Sequence, residues 1–487
     1  MTKKNGKNKK IIKRVSLFIW GIAFICALVF GYFIYDANVL PFKYLLGIFL
    51  VLIIFLLIHC LLLLKKNTRA WLMAFLSLLS IMFIGVSLYA SLKINDTIRF
   101  INENLGAYFE TNIYHIVVNN ESSYKTLDDI RGKEITIVKD MDDMSEVEGS
   151  LKRKVSMEVK YDEGMIEMLS RVSEDVETII LVNSGNYDAM VENDKEYEGK
   201  VRIVDTIEVK TRKENTTTGI DMTQDPFIVY LSGIDTRSGM MPSRSLSDVN
   251  ILLAVNPNTH HILMVHVPRD YYVPVAGRGG ARDKLTHTGT IGGVALTMQT
   301  LEEFLQVKLS YYVRVNFNSV INLVNAIGGI NLYSDVDYSF TCWTNRSCKF
   351  NPGDNYVDGT CALAFARERY AYSTGDRHRG ENQEQVITKV IDKITSSSTL
   401  ISNYSDILNA LNGTFETNIT GDEITSLVRM QIDEMKGWNI ESVNVTGTGS
   451  LQPTYSYPNQ NLYVMNPDME SVNKAITRLH EVIEETN

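Results

Sequence analysis

Arginine recurs in six polar stretches of this chain, beside aspartate in five and glutamate in the other: Gly233-Ile-Asp235-Thr-Arg237, Ser243-Arg244-Ser-Leu-Ser-Asp248, Val267-Pro-Arg269-Asp270, Arg282-Asp-Lys284-Leu-Thr-His287, Arg367-Glu-Arg369 and Asp376-Arg377-His-Arg379-x3-Gln383. Guanidinium groups gathered from separate stretches would make an anion site. Phosphate suits such a site better than a carboxylate or a sugar hydroxyl, because Arg offers a planar fork of donors that stays charged and grips non-bridging oxygens in pairs. Several forks could neutralise a diphosphate. Carboxylates among them would repel that ligand unless a hard cation intervened, and Asp235 and Asp248 are suited to share Mg²⁺ with phosphate oxygens and water. The ion would polarise the phosphoryl centre and stabilise the leaving oxygen. Arg379 and Gln383 are i, i+4 at the start of a predicted helix, so both face one ligand near its positive end. Taken singly, each residue has a plainer role. Asp235 and Asp248 also suit turns and caps, Arg367 and Arg369 surface ion pairs, His287 a structural hydrogen bond, and Asp270 the orientation of Arg269. The chain has no G-x-S-x-G elbow, H-E-x-x-H pair, Walker loop or dinucleotide fingerprint.

The elements that would carry these residues are strands and helices in alternation. Pro226-Phe-Ile-Val-Tyr-Leu231 is an unbroken apolar run that fits a strand buried on both faces, with Asp235 just past its end. Val249 to Val255 and Ile262 to Val267 read as two more strands joined by the turn Asn256-Pro-Asn-Thr259. Val294, Met298, Leu301 and Leu305 recur at helical spacing, as do Val320, Leu323, Val324 and Ile327 before Gly328-Gly329. This alternation predicts a layered α/β/α domain with a mixed sheet, whose ligands sit beyond strand ends. Ile401 to Asn487, with helical patterns and a strand at Ile440 to Val445, is expected to complete it.

Upstream, Leu127 to Val138 reads as helix end, Gly turn and buried strand, and Ile179 to Val182 with Asp188 to Val191 repeats an αβ rhythm. This region predicts a small accessory α/β domain and resembles one lobe of an extracytoplasmic solute-binding fold. Thr211 to Gly219 is polar and reads as linker. The predicted organisation is therefore an N-terminus and three spans over 1–93, an accessory domain over 94–210, a linker over 211–222, and a second domain over 223–487 with its core at 225–395.

Three uncharged apolar runs, Val15 to Tyr35, Tyr44 to Leu64 and Trp71 to Leu92, are each long enough to cross the ~30 Å of a bilayer as a helix. Seven Lys/Arg precede the first run, which puts the N-terminus in the cytoplasm. Three crossings then place the bulk of the chain outside, as a multi-pass protein of the cell membrane. Residues 1–92 carry eleven Lys/Arg against the single acid Asp36, whereas the whole chain of 487 residues has a net charge of -9. An acidic exterior portion argues against a nucleic-acid partner. Cys342 and Cys348 flank a polar loop and could close a disulfide in an oxidising compartment or remain thiols. Cys361 fits a buried apolar position, and no second Cys/His pair has zinc-site spacing.

The same segments resemble the LytR-CpsA-Psr family of bacterial cell-envelope phosphotransferases. The residues carrying the likeness are Gly233-Ile-Asp235-Thr-Arg237, Ser247-Asp248-Val-Asn250, Val267-Pro-Arg269-Asp270, Asp283-Lys284-Leu-Thr-His287, Tyr312-Val-Arg-Val-Asn316-Phe317, Ala326-Ile-Gly-Gly329 and Asp358-Gly359 through Gln383. The three spans and accessory region resemble its capsule-associated branch. The resemblance implies an α/β/α domain that takes an undecaprenyl-diphosphate-linked glycan and transfers it to a peptidoglycan acceptor, with capsule-assembly proteins as further partners. It implies Asp235 and Asp248 as Mg²⁺ ligands, and Arg269, Arg367, Arg369, Arg379 and Gln383 as the diphosphate-binding set. Lys284, Asp376 and Arg377 stand in the same motifs. Many members carry an Arg two residues before the second acid, where this chain has Leu246, with Arg244 as the substitute candidate. Two other functions fit the same residues: a polyprenyl-diphosphate hydrolase, with water as acceptor, and a non-catalytic envelope sensor or scaffold.

Overall fold

The computed structural model describes residues 2–65, 68–104, 107–138, 144–162, 164–214, 218–235, 241–341, 347–372, 375–411 and 413–486. Its contacts divide the chain into two units. One comprises Met1–Asn104, Ile394–Asn409 and Gly421–Lys436, and the other the remainder.

The first unit is built on the helices Thr2–Ala37, Phe42–Leu64 and Ala70–Asn104. Within them Lys9–Ala37, Phe42–Leu64 and Ala70–Asp96 are long and apolar enough to cross a membrane. Small residues let them approach: Ala23 and Ala27 are buried with Leu56 against Trp20, Phe55 and Phe83. Polar side chains inside pair with each other, His59 with Ser80 at 3.0 Å and Ser77 with Ser16 at 2.8 Å. Outward-facing Leu, Ile and Phe are exposed, the apolar surface that a bilayer covers. Two C-terminal segments complete this unit, so the region after Ile401 does not belong wholly to the second domain as its sequence predicts. Lys43 Nζ lies 2.7 Å from Asp433 Oδ1, and Lys93 Nζ 3.7 Å from Asp406 Oδ1. Those lysines stand at the start of the second span and the end of the third, which antiparallel crossing places on one side.

The second unit holds two sheets. The accessory sheet runs in the order Glu158–Asp162, Glu134–Val138, Ile179–Asn183, Ala107–Asn119, Val201–Glu214. Successive residues bury on opposite faces: Ile116 and Leu181 pack with Val147 and Leu151 of one helix, and Val117, Ile180 and Val182 with Met168, Leu169 and Tyr187 of two others. The last strand continues to Glu214, so the predicted linker begins inside it. Residues 126–132 form turns rather than a helix end, and the strand after them is present.

The larger sheet runs Phe415–Thr417, Tyr311–Asn316, Phe227–Ile234, Val249–Asn256, His261–His266, Asn439–Asn444. It is mixed: Phe227–Ile234 is parallel to Tyr311–Asn316, His261–His266 is parallel to Asn439–Asn444, and Val249–Asn256 runs against both neighbours. One face buries Tyr230, Leu252 and Val265 under Leu285, Leu301, Leu305 and the C-terminal helix residues Val472 and Leu479. The other buries Ile251, Ile262 and Met264 under Ile387 and Ile391. This is the expected α/β/α layering. The helix Leu285–Leu305 is interrupted at Gly292 and Gly293, where only the second half shows the periodicity read from the sequence. The accessory domain is joined directly to the larger one, since Tyr457 and Leu462 belong to its second core. Cys348 is bonded to Cys361, with Cα atoms 5.5 Å apart. That corrects two expectations: Cys342, outside the described residues, is not its partner, and Cys361 is not a lone apolar filler. The hairpin strand Ser347–Phe350 packs beside the helix Gly359–Arg367, which brings the two sulfurs together across a fold that loop spacing does not reveal.

Candidate active site

Strand directions gather the charged residues at one edge of the larger sheet. Asp235 follows Phe227–Ile234, Arg269 follows His261–His266, and Phe317 follows Tyr311–Asn316, all at carboxyl ends. Asp248 precedes Val249–Asn256, whose opposite direction brings its amino end to that same edge. Its backbone N–H donates to the Gly233 carbonyl at 2.8 Å. A Cβ at position 233 would stand 2.8 Å from Val249, so glycine lets the two strands close beside Asp248.

A buried polar network fixes the turn that carries Asp248. Tyr230 donates its hydroxyl to Asn250 Oδ1 at 2.6 Å, Asn250 Nδ2 donates to the Ser247 carbonyl at 3.2 Å, and the Ser232 and Ser247 hydroxyls are 2.8 Å apart. Satisfied inside the protein, these groups hold one geometry. Arg314 supports the preceding loop from below. Fully buried, it donates to Glu416 at 2.6 Å, to the Pro242 carbonyl at 2.7 Å and to Ser245 Oγ at 2.8 Å. The accessory domain grips this loop too, because Ser243 N–H donates to the Thr111 carbonyl at 2.8 Å.

Arg269 is the hub. Its guanidinium forms ion pairs with Asp248 and with Glu192, and lies 3.7 Å from Asp270 Oδ2. Burial opposes its charge, but the carboxylates of Asp248, Glu192 and Asp270 outweigh that and hold its proton more firmly than in water. Lys284 extends the cluster with Nζ 3.2 Å from Asp270 Oδ1. Arg367 stands on the other flank, 3.7 Å from Asp235 Oδ2, with its guanidinium 4.3 Å from the centre of the Phe317 ring.

The helix Asp376–Thr395 is pressed against this edge, since a Cβ at Gly380 would stand 3.0 Å from the His266 ring. Gln383 donates to the Ala366 carbonyl at 3.4 Å and hydrogen-bonds His266, whose imidazole burial pushes down to about 4. Arg369 and Arg379 are partly buried on either side of the turn leading into that helix. Arg377 is the departure. It is exposed and lies 3.5 Å from Glu381 along its own helix, apart from the cations gathered around Asp235 and Asp248. The Asp376 side chain and Arg237 lie outside the described residues. Arg244 lines a cavity beside the accessory domain. His287 is structural: its Nδ1 is 2.7 Å from the fully buried Asp283, whose second oxygen accepts from Ser456 N–H at 2.7 Å and hydroxyl at 2.6 Å.

Sequence reasoning missed two acids and one base here. Glu192 and Asp188 lie one turn apart on the accessory helix Ser184–Asn193. Asp188 keeps solvent contact, yet partial enclosure first, and then the charges of Asp235 and Glu192, push its carboxyl up to about 7. Their i, i+4 spacing was a visible signal, but its target was not. Arg314 was legible as a lone charge in the apolar strand Tyr311–Asn316. Among the described residues no group of three or more His, Cys, Asp or Glu side chains is arranged to hold a metal ion.

The model of the LytR_cpsA_psr family matches residues 183–480. A polyisoprenyl-teichoic acid--peptidoglycan teichoic acid transferase, TagU, of Enterococcus faecalis is 32% identical over 235 residues, covering 48% of this chain and 74% of its own length. TagU of Bacillus licheniformis is 34% identical over 215 residues, covering 44% and 67%. Among solved structures, B. subtilis TagV is 27% identical with a TM-score of 0.46, covering 54% of this chain and 99% of its own.

Proposed function

Because the chain belongs to the LytR-CpsA-Psr family, we propose that it is a membrane-anchored phosphotransferase that moves a glycan from an undecaprenyl-diphosphate carrier onto peptidoglycan, attaching capsular or related wall polysaccharide. The observation that carries this reading is the edge at which Arg269, Lys284 and Arg367 meet Asp235 and Asp248. Three cationic groups on separate elements suit a ligand with several negative oxygens, and the guanidinium forks match phosphate geometry. The activity for which these relatives are named, polyisoprenyl-teichoic acid--peptidoglycan teichoic acid transfer, has the same chemical form. Three helices long and apolar enough to cross a membrane suit a lipid-linked substrate, and the Cys348–Cys361 disulfide suits an oxidising exterior.

In this reading the diphosphate displaces the carboxylates now held by Arg269. An acceptor hydroxyl attacks the phosphorus nearer the glycan, its oxygen forms the new P–O bond, and the bond to the bridging oxygen breaks. Polyprenyl phosphate leaves, and the hydroxyl proton passes to a carboxylate at the edge or to water. Such a loose phosphoryl transition state needs little help from a base. Arg269 and Arg367 hold non-bridging oxygens as charge shifts toward the leaving group. Asp235 and Asp248 fit Mg²⁺, an ion that takes one or two carboxylates and completes its shell with phosphate oxygens and water. The negative charge crowding Asp188 is what such an ion would relieve. When bound, it would supply charge neutralisation at the phosphates.

The test is product analysis with the full-length protein in nanodiscs, given a polyprenyl-diphosphate-linked glycan and peptidoglycan. Glycan covalently joined to peptidoglycan is the expected product. Release of free glycan phosphate alone would favour hydrolysis, and no turnover would favour a scaffold.

A further inference from the structure

A cavity of about 560 Å³ opens between the accessory helices Met165–Glu174 and Ser184–Asn193 and the loop Tyr455–Gln460 of the larger domain. Its size falls within the ~300–1,000 Å³ of small-ligand sites. We infer that this cavity is a saccharide-binding subsite, holding sugar rings of the glycan or of its acceptor beside the charged edge. The inference rests on the phosphotransferase reading and extends it to a part of the molecule outside the phosphate cluster.

The lining is of the right chemistry. Tyr455 and Tyr457 supply aromatic surface, while Asn186, Asn459 and Gln460 supply amides that both donate and accept, and Arg244 adds a cation. A sugar ring presents an apolar C–H face and a rim of hydroxyls, which match aromatic rings and amides respectively. A polyprenyl chain would instead strip water from these polar groups without replacing their hydrogen bonds. Met165, Ile166, Leu169, Ile291 and Pro458 add apolar surface that can cover ring faces.

The loop is also held in place before any ligand arrives. Ser456 clamps Asp283 through N–H and hydroxyl, Tyr455 N–H donates to the Arg282 carbonyl at 2.8 Å, and Tyr457 N–H donates to Thr454 Oγ1 at 3.1 Å. Tyr457 is buried in the second accessory core, and the Arg278 guanidinium lies 5.7 Å from the Tyr455 ring centre. On the opposite wall a Cβ at Gly185 would come within 2.7 Å of the Arg244 carbonyl, so glycine allows the accessory helix its close approach. Such a fixed frame reduces the ordering cost of binding.

Position ties the cavity to the phosphate edge. Asn186 and Ala189 of helix Ser184–Asn193 line it, whereas Glu192 of the same helix reaches Arg269. On the other side, Ser456 lines the cavity and bonds Asp283, whose neighbour Lys284 pairs with Asp270 next to Arg269. Two independent routes therefore lead from sugar-sized space to the cations, one residue or one helical turn away.

Binding to the full-length protein in nanodiscs tests this with three probes: a polyprenyl diphosphate without sugar, the same lipid carrying a glycan, and a soluble peptidoglycan disaccharide fragment. The variants are Tyr455→Ala with Gln460→Ala on one wall, and Asn186→Ala on the other. Loss of ring and amide contacts should weaken saccharide binding about tenfold while leaving the sugar-free lipid unchanged. Weakening with the glycosylated lipid alone assigns the cavity to the donor, and weakening with the fragment alone assigns it to the acceptor. Unchanged binding of both saccharide probes overturns the inference, as does an equal loss for the sugar-free lipid. If wild-type protein ignores the sugar-free lipid, the phosphotransferase reading fails instead, and the fragment still judges the cavity.

Discussion

At the scale of single residues, Arg269 and Glu192 define a competition. Glu192 reaches the guanidinium from another domain, and in the proposed function a diphosphate would take its place. Removing that carboxylate charge should therefore help the ligand. Glu192→Gln is expected to tighten binding of a polyprenyl diphosphate a few-fold, the scale of a partly solvated ion pair of ~0.2–1 kcal/mol; unchanged or weaker binding by titration calorimetry would contradict the competition. Much of the other half of the cluster could be read in advance. Asp235, Asp248 and Arg269 stand where strands end, and strand ends are visible as the boundaries of apolar runs, whereas Arg367 closes the helix Gly359–Arg367. Glu192 could not be read this way, because nothing in a local stretch says which distant guanidinium a helix will face. Arg377 shows the reverse case. It shares a motif with Arg379, but two residues' difference on a helix turns it to the exposed face and onto Glu381.

At the scale of elements, buried polar groups hold the edge in shape. Arg314 bonds Glu416, Pro242 and Ser245 at once, so it ties two strands to the loop before Asp248. Arg314→Met leaves Glu416 without its cation and should cost about 3–5 kcal/mol of stability, read as a large drop in unfolding midpoint; a change under 1 kcal/mol would show that the loop is held otherwise. The accessory sheet carries a pH response. Burial pushes the His115 imidazole down to about 4, with its Nδ1 3.0 Å from Thr206 Oγ1. An unfolded His titrates near 6.5, so between about 6.5 and 4 the unfolded chain binds the extra proton and stability falls as pH falls. Unfolding temperature should decline over that range in wild type and less steeply in His115→Gln; identical slopes would remove His115 as the cause. Strands here were legible because both faces are buried and the runs are unbroken. The break at Gly292–Gly293 and the grouping of 394–409 and 421–436 with the spans were not, since periodicity reports which face is apolar and not what covers it.

At the scale of the whole molecule, the chain combines three membrane spans with a catalytic domain and an accessory domain that supplies part of its site. By the positive-inside rule the charge pattern predicts an N-terminus in the cytoplasm. Protease added to intact spheroplasts should accordingly degrade the chain beyond residue 104 while an N-terminal tag stays protected. Protection of both regions, or loss of the tag, would reverse the topology. The accessory domain holds the Ser243 loop, reaches Arg269 through Glu192 and walls the sugar-sized cavity.

The proposed chemistry depends on Arg269 gripping phosphate oxygens, and affinity for a sugar-free polyprenyl diphosphate measures that directly. Full-length wild-type protein in nanodiscs should bind the diphosphate well above the corresponding monophosphate. Arg269→Lys should lose most of that preference, because an ammonium keeps the charge but not the paired donors, and Arg269→Ala should lower kcat/KM for transfer about a hundredfold or more. Equal affinity of wild type and both variants for the diphosphate would show that the ligand is held elsewhere.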